Sequence, residues 1–328
     1  MQPSEHVTYL DGLTSGYQRA QVVFTALRAG VFEHLKHPIP AEALAHALGW
    51  SPRGTRMLLD ALLAVGVVSK HNGQYRNGPV AEQCLIAGAP EDQRHILLHK
   101  ANGYERWARL EEAVRTGTAP PRAQPQRSPE ELRAFICGMA DIARISAQQL
   151  LAAVDLSGHR FLLDLGTGPG TYAVTLLQRY PRMRALLFDL PEVLPITREQ
   201  VHKADLAPRV EFVAGDMTRD EFPPGYDLVL LSNIIHSFGP VVNRDLVRRC
   251  FTGMASGGRL IIKDFLVDPQ RSGPPFSLMF ALQMLLNTDG GDVYSTADVE
   301  AWTNAAGFVE GEFRDLTEQT RLWIVRKP

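Results

Sequence analysis

The sequence predicts an α/β protein, with a doubly wound, mostly parallel sheet of seven strands preceded by a mostly helical N-terminal domain. Three observations lead there. First, the second half carries seven short apolar runs, at residues 161–165, 185–189, 210–213, 227–232, 259–264, 308–316 and 321–326. Helical segments separate the first six, including 173–179, 193–204, 240–254 and 297–306. Strands alternating with helices imply parallel crossovers in one sheet. Second, only residues 317–320 join the last two runs. That is too short for a helical crossover, so the last strand should run antiparallel. Third, residues 41–76 read as helix, turn, helix and hairpin. The whole is a Rossmann-like sheet behind a winged-helix module.

The elements follow in order. Residues 17–35 and 96–114 read as helices. In the winged-helix region a helix over 41–48 meets a turn at Gly49-Trp50. A second helix starts at Ser51-Pro52 and carries Met57, Leu58, Ala61, Leu62 and Val65 on one face. Asn72-Gly73 then joins the runs 67–71 and 74–76, which is the strongest short hairpin signal. Residues 116–121, with Pro125 and Pro129 beyond, form the clearest linker. Ser128 is a plausible N-cap, followed by Pro129 and two glutamates, for a helix reaching about Val154. The expected division is 1–95, 96–157 and 158–328.

Composition excludes several classes. With 328 residues, 45% of them hydrophobic, the chain has room for about two domains and a sizeable core. A net charge of −2 argues against wrapping nucleic acid. The longest apolar stretch, 58–68, contains Asp60 and is too short to span a bilayer. Residues 1–11 lack a basic-then-apolar signal pattern. Cys84, Cys137 and Cys250 are far apart and odd in number, which excludes a disulfide framework and fits inert thiols in a reduced cytoplasm. His95 and His99 stand four apart near Arg94, Lys100 and Trp107, but no third ligand accompanies them, so no metal is expected.

The cofactor signal lies at the end of the first strand, in Asp164-Leu165-Gly166-Thr167-Gly168-Pro169-Gly170. Ligands in open α/β sheets bind beyond the C-terminal strand ends. Glycines there permit close backbone approach. The spacing is GxGxG, with Thr171 where a dinucleotide motif has its last glycine. Asp164 would oppose a pyrophosphate and suits a cationic ligand. The second strand ends in Asp189, suited to ribose hydroxyls. The third is followed by Ala214-Gly215-Asp216-Met217, where Asp216 could meet an adenine amino group and Met217 could pack on the ring.

In this order and spacing, DLGTGPG, FDLPEV and AGDM resemble class I methyltransferases that use S-adenosylmethionine (SAM). With the winged-helix front end and LSNIIHSF, the chain resembles small-molecule O-methyltransferases of bacteria and plants, such as those acting on hydroxyneurosporene, caffeate and acetylserotonin. The resemblance runs from about residue 10 to 327. It implies that Gly166, Gly168 and Gly170 line the methionine end of SAM, that Asp189 with Leu190 holds the ribose side and Asp216 with Met217 the adenine, and that Ser232 completes the set. It also implies a homodimer built by residues 1–95, with first helices exchanged, and helices at 96–157 that contribute to the substrate pocket. Phe135, Met139, Phe276, Phe280, Gln283, Met284 and Asn287 are placed near that pocket, several of them three or four apart. Such a stripe suits a flat, mostly apolar acceptor.

For methyl transfer to a hydroxyl, His236 is the candidate general base. It follows the fourth strand at its C-terminal end, and a histidine titrates near operating pH. Ile235-His236-Ser237-Phe238 matches the family's leucine-histidine-aspartate-tryptophan at the histidine, and Ser237 replaces the aspartate. The family glutamate that orients the histidine falls at Val293, leaving Asp292 and Tyr294 as neighbours able to substitute. That departure keeps open C-methylation, and a SAM-binding enzyme that catalyses rearrangement, elimination or hydroxylation. A winged-helix DNA regulator is the remote alternative. Over 41–76, however, Arg53, Arg56, Lys70 and Arg76 face Glu42 and Asp60, a weak basic bias that reads better as a protein-protein element. Oxidoreduction with a nicotinamide cofactor is opposed by GxGxG and Asp164.

Overall fold

The computed structural model describes residues 4–121 and 128–328; Pro125 of the expected linker lies outside them. The chain divides into two compact units, Met1–Gly103 and Tyr104–Pro328.

The first unit opens with α1 (Glu5–Thr14), α2 (Gly16–Arg28) and α3 (Val31–His34). The single helix expected over 17–35 is therefore interrupted. Gly30 adopts φ +68°, a left-handed conformation that ends α2 and lets α3 start at a new angle. A two-residue strand β1 (Ile39–Pro40) precedes α4 (Ala41–Leu48), and Gly49 closes α4 at φ +66°. Ser51 caps α5 (Pro52–Ala64), accepting from the Gly54 N–H at 3.4 Å, with proline at the start where its missing donor costs nothing. Strands β2 (Val68–His71) and β3 (Gln74–Asn77) form the expected hairpin, with Asn72 and Gly73 both at positive φ. β1 adds to β3 as a third antiparallel strand. Leu44, Leu59, Leu62, Val68 and Tyr75 form the buried heart of this module. Three of its basic side chains are engaged, Arg76 with Glu82 at 3.2 Å and two with Asp60. Arg56 bonds Asp60 at 2.8 Å, and Lys70 and the Tyr75 hydroxyl share that carboxylate. Helix α6 (Pro79–Cys84) follows.

Helix α7 (Arg94–Trp107) crosses the boundary between the units in sequence, and α8 (Leu110–Thr116) follows, so the helix expected over 96–114 breaks at Ala108-Arg109. α9 (Pro129–Ala153) starts at a capping box. Ser128 accepts from the Glu131 N–H, and the Glu131 carboxylate accepts from the Ser128 N–H. Then strands and helices alternate: β4 (Phe161–Leu165), α10 (Thr171–Arg179), β5 (Arg184–Asp189), α11 (Leu194–Lys203), β6 (Val210–Ala214), β7 (Leu228–Ser232), α12 (Pro240–Gly253), β8 (Arg259–Asp264), α13 (Pro275–Asn287), α14 (Thr296–Ala306), β9 (Val309–Asp315) and β10 (Arg321–Arg326).

The seven strands lie in the order β6-β5-β4-β7-β8-β10-β9. β10 runs antiparallel to both its neighbours, and the ladders from β6 to β8 are parallel. Strand order reverses between β4 and β7, so the crevice for a ligand opens at their C-terminal ends. Strand alternation divides the interior. Leu162, Leu187, Leu230 and Ile261 face α9 and α10, whereas Leu163, Phe188, Leu231 and Ile262 face α12 and α14.

Candidate active site

The loop after β4 is built to let a ligand approach its backbone. Gly166, Gly168 and Gly170 all take positive φ. At Gly166 a side chain is excluded by space as well as by conformation, because a Cβ would overlap Ile234 and lie 2.9 Å from the Met217 Cε. The loop is tied to the end of β5. The Gly166 N–H donates to the Phe188 carbonyl at 2.8 Å, and the Gly168 N–H to Asp189 Oδ2 at 2.7 Å. Asp189 Oδ1 accepts from the Leu190 N–H at 2.8 Å. Thr197 of α11 donates to the Gly168 carbonyl at 2.6 Å. Asp189 thus fixes the loop while presenting two carboxylate oxygens at a strand end. Burial raises its carboxyl above the usual range, against those two backbone bonds.

Asp164 is the more perturbed acid. Burial pushes its carboxyl up to about 7, with one compensating bond, from the Thr167 hydroxyl at 2.8 Å, and with Asp189 adding repulsion. A cation brought against it would restore the charged form. Asp216 is held differently. Its Oδ1 accepts from the Thr218 hydroxyl and N–H at 2.7 and 2.9 Å, which keep it below the usual range. The buried Arg249 clamps this turn, bonding the Met217 and Asp220 carbonyls. Leu190 is exposed beside Asp189, as an apolar wall for a ring would be. The Ser232 hydroxyl ends β7 buried, with no partner among the described residues. Three positive-φ glycines, flanking carboxylates and an orphaned buried hydroxyl at one switch point fit a nucleoside sulfonium with an amino-acid tail.

His236 lies in the single turn Ile235–Ser237 just past β7. Its Nδ1 is 2.7 Å from Asp264 Oδ1, the last residue of β8. Asp264 Oδ1 also accepts from the Phe265 N–H at 2.8 Å. Burial raises the Asp264 carboxyl, but the charge and hydrogen bond of His236, the Phe265 N–H and the charge of Lys263 outweigh it and hold the group below its ordinary range. This carboxylate was not foreseen. The signal was available in the sequence: an acid ending the strand that follows the histidine's own strand, in a parallel sheet that sets the two ends side by side.

The expected substitutes for the family glutamate are engaged elsewhere. Asp292 pairs with Arg271 at 3.1 Å, and the Tyr294 hydroxyl donates to the Phe238 carbonyl. Val293 is buried with Phe265 and Val267, against Phe280. Of the pocket candidates, Phe280 meets the His236 ring edge-on at 5.0 Å and Phe276 stacks on Phe280 at 5.9 Å. Gln283 follows one turn along α13, its Oε1 accepting from the Trp107 indole at 2.6 Å. Asn287 donates to the Gln283 carbonyl, and Met284 is buried. Phe135 packs with Leu132, Val193 and Ile196, and Met139 lies one turn further along α9, half-buried.

Comparison with known proteins decides the family. Residues 107–309 match the O-methyltransferase domain and residues 12–86 the O-methyltransferase dimerisation domain. The chain belongs to the O-methyltransferase family. It is 33% identical over 313 residues to the 3-hydroxy-5-methyl-1-naphthoate 3-O-methyltransferase of Streptomyces sahachiroi, covering 92% of this chain and 90% of that one. It is 32% identical to acetylserotonin O-methyltransferase of Rattus norvegicus, over 93% of this chain and 73% of the relative. The human N-acetylserotonin methyltransferase, solved in complex with SAM, superposes with a TM-score of 0.90 at 25% identity, over 99% of both chains. This methyltransferase therefore uses SAM on a small-molecule acceptor and pairs as a homodimer through its dimerisation domain. The nicotinamide and DNA-regulator readings fall away. Among the described residues no helix is long and apolar enough to cross a membrane.

Proposed function

We propose that this methyltransferase moves the SAM methyl group to a hydroxyl of a flat aromatic or polyene-like molecule, with His236 as general base and Asp264 as its orienting acid. The 2.7 Å contact between His236 Nδ1 and Asp264 Oδ1 carries the reading. A carboxylate is acceptor-only, so it holds the proton on Nδ1 and leaves Nε2 with the lone pair. Bound SAM supplies an electrophilic methyl carbon on a sulfonium, open to in-line displacement.

Nε2 would take the acceptor's hydroxyl proton as that oxygen displaces the sulfonium sulfur from the methyl group, the sulfur leaving as a neutral thioether, and Asp264 would balance the imidazolium. A base of this kind contributes roughly 10²–10⁴-fold, and alignment of the partners contributes several kcal/mol more. Asp164 is assigned to the cationic amino group, Asp189 with Leu190 to the ribose, Asp216 with Met217 to the adenine, and the loop of Gly166, Gly168 and Gly170 with Ser232 to the methionine end. Phe276, Phe280, Gln283, Met284 and Asn287 of α13 would line the acceptor side, with Phe135 and Met139 of α9 as further candidates. The relatives' names, a hydroxynaphthoate and an acetylserotonin methyltransferase, support an aromatic acceptor. Residues 158–328 carry the cofactor, residues 96–157 join the acceptor side, and residues 1–95 pair the subunits with exchange of first helices. Cys84, Cys137 and Cys250 are free thiols, which fits a cytoplasmic setting.

The test is His236→Ala. Turnover should fall about 10²-fold or more while SAM affinity by calorimetry stays within about threefold. Survival of turnover would mean that the proton is removed elsewhere.

A further inference from the structure

Lys263 occupies a place where a lysine needs a reason. It is 1% exposed, the penultimate residue of β8, in the interior of the sheet. Its nitrogen donates to Asn233 Oδ1 at 3.0 Å, and among the described residues no carboxylate pairs with it and no second acceptor meets it. A buried cation with one neutral acceptor is costly. Register and alternation say where it points. Lys263 pairs with Ser232 on β7, and Asp164 pairs with Leu230, two residues before Ser232. Asp164, Ser232 and Lys263 therefore share one face of the sheet at its C-terminal edge. On that face Tyr172, the second residue of α10, lies with its ring 5.9 Å from the lysine nitrogen. The Tyr172 and Ser232 hydroxyls are both buried, with no hydrogen-bond partner among the described residues. Three donors thus converge beside the glycine loop, two of them unused and the third underused.

We infer that Lys263, with Tyr172 and Ser232, receives the carboxylate of the SAM amino-acid end. Asp164 takes the ammonium of the same zwitterion. Each buried charge of the protein then meets its opposite, and the orphaned hydroxyls gain an acceptor. Asn233, at φ +58°, fixes the lysine and leads the chain on to His236. The inference rests on the cofactor placement proposed above.

The test uses two ligands that differ only at the carboxylate: SAM, and decarboxylated SAM, which keeps the ammonium and the sulfonium. Calorimetry on the intact homodimer should show wild type preferring SAM at least about tenfold. Lys263→Met should lose that preference, weakening SAM about tenfold or more while decarboxylated SAM stays within about threefold. Tyr172→Phe, which removes one hydroxyl and no volume, should shift the ratio in the same direction if the lysine variant does not fold. Equal losses for both ligands, or no loss for either, would overturn the assignment. Asp164→Asn separates this from failure of the underlying placement, because it should weaken both ligands. If it weakens neither, the placement of the methionine end is wrong; if it weakens both while Lys263→Met leaves the ratio unchanged, only the lysine's role falls.

Discussion

At the scale of single residues, two buried carboxyls do opposite work. Asp264 is stabilised as an anion by His236 and the Phe265 N–H; Asp164, bonded by the Thr167 hydroxyl, is pushed up to about 7 by burial. A carboxyl whose folded pKa exceeds its unfolded value favours the native state at low pH, and that advantage is lost as pH rises from about 4 to 7. Asp164→Asn should therefore raise stability at pH 8, by an amount on the order of 1–3 kcal/mol, and leave it little changed at pH 4. Thermal or urea unfolding at the two pH values checks this. The same shift couples to the cofactor. Binding a cation to ionised Asp164 releases a proton below pH 7, so SAM affinity should rise about tenfold between pH 5.5 and 7, with a buffer-dependent enthalpy. The slope should vanish in Asp164→Asn. The sequence already placed Asp164 and the glycines. It concealed Asp264 and Lys263, whose neighbours become visible only when β8 is set beside β7.

At the scale of elements, strand and helix positions were legible because period and punctuation agreed. The strands over 161–165, 259–264 and 321–326, and the helix over 41–48, have the expected limits. Interruptions were harder to see. Apolar periodicity runs through Gly30 and through Ala108-Arg109, where the backbone turns without a proline. β1 is only Ile39-Pro40, too short to carry a pattern. The loop after α13 packs against the turn that carries His236. Gly291 lies so near the His236 carbonyl that a Cβ would overlap it, and would sit 2.5 Å from the Thr288 Oγ1. Gly291→Ala should cost about 1–3 kcal/mol of stability and slow turnover more than it weakens SAM binding. Unchanged unfolding and kinetics would show that this loop can yield without moving the histidine.

At the scale of the whole molecule, the near-neutral charge belongs to a chain that pairs through its N-terminal dimerisation domain. In the winged-helix module Arg56 and Lys70 pair with Asp60 and Arg76 with Glu82, and α1 presents Val7, Tyr9, Leu10 and Leu13 exposed, with Tyr17 just beyond. An unpaired apolar stripe of that kind marks a protein contact. Leu10→Glu together with Leu13→Glu should shift the homodimer toward monomer in sedimentation experiments and weaken the fall of unfolding temperature on dilution that the wild-type dimer shows. A dimer that persists unchanged would place the interface elsewhere. The most direct test of the whole account concerns the base and its partner. Single-turnover methyl transfer by Asp264→Asn, with acceptor and SAM saturating, should slow about 10²-fold or more at near-normal ligand affinities. A rate within about threefold of wild type would contradict the claim that Asp264 holds His236 in its catalytic tautomer.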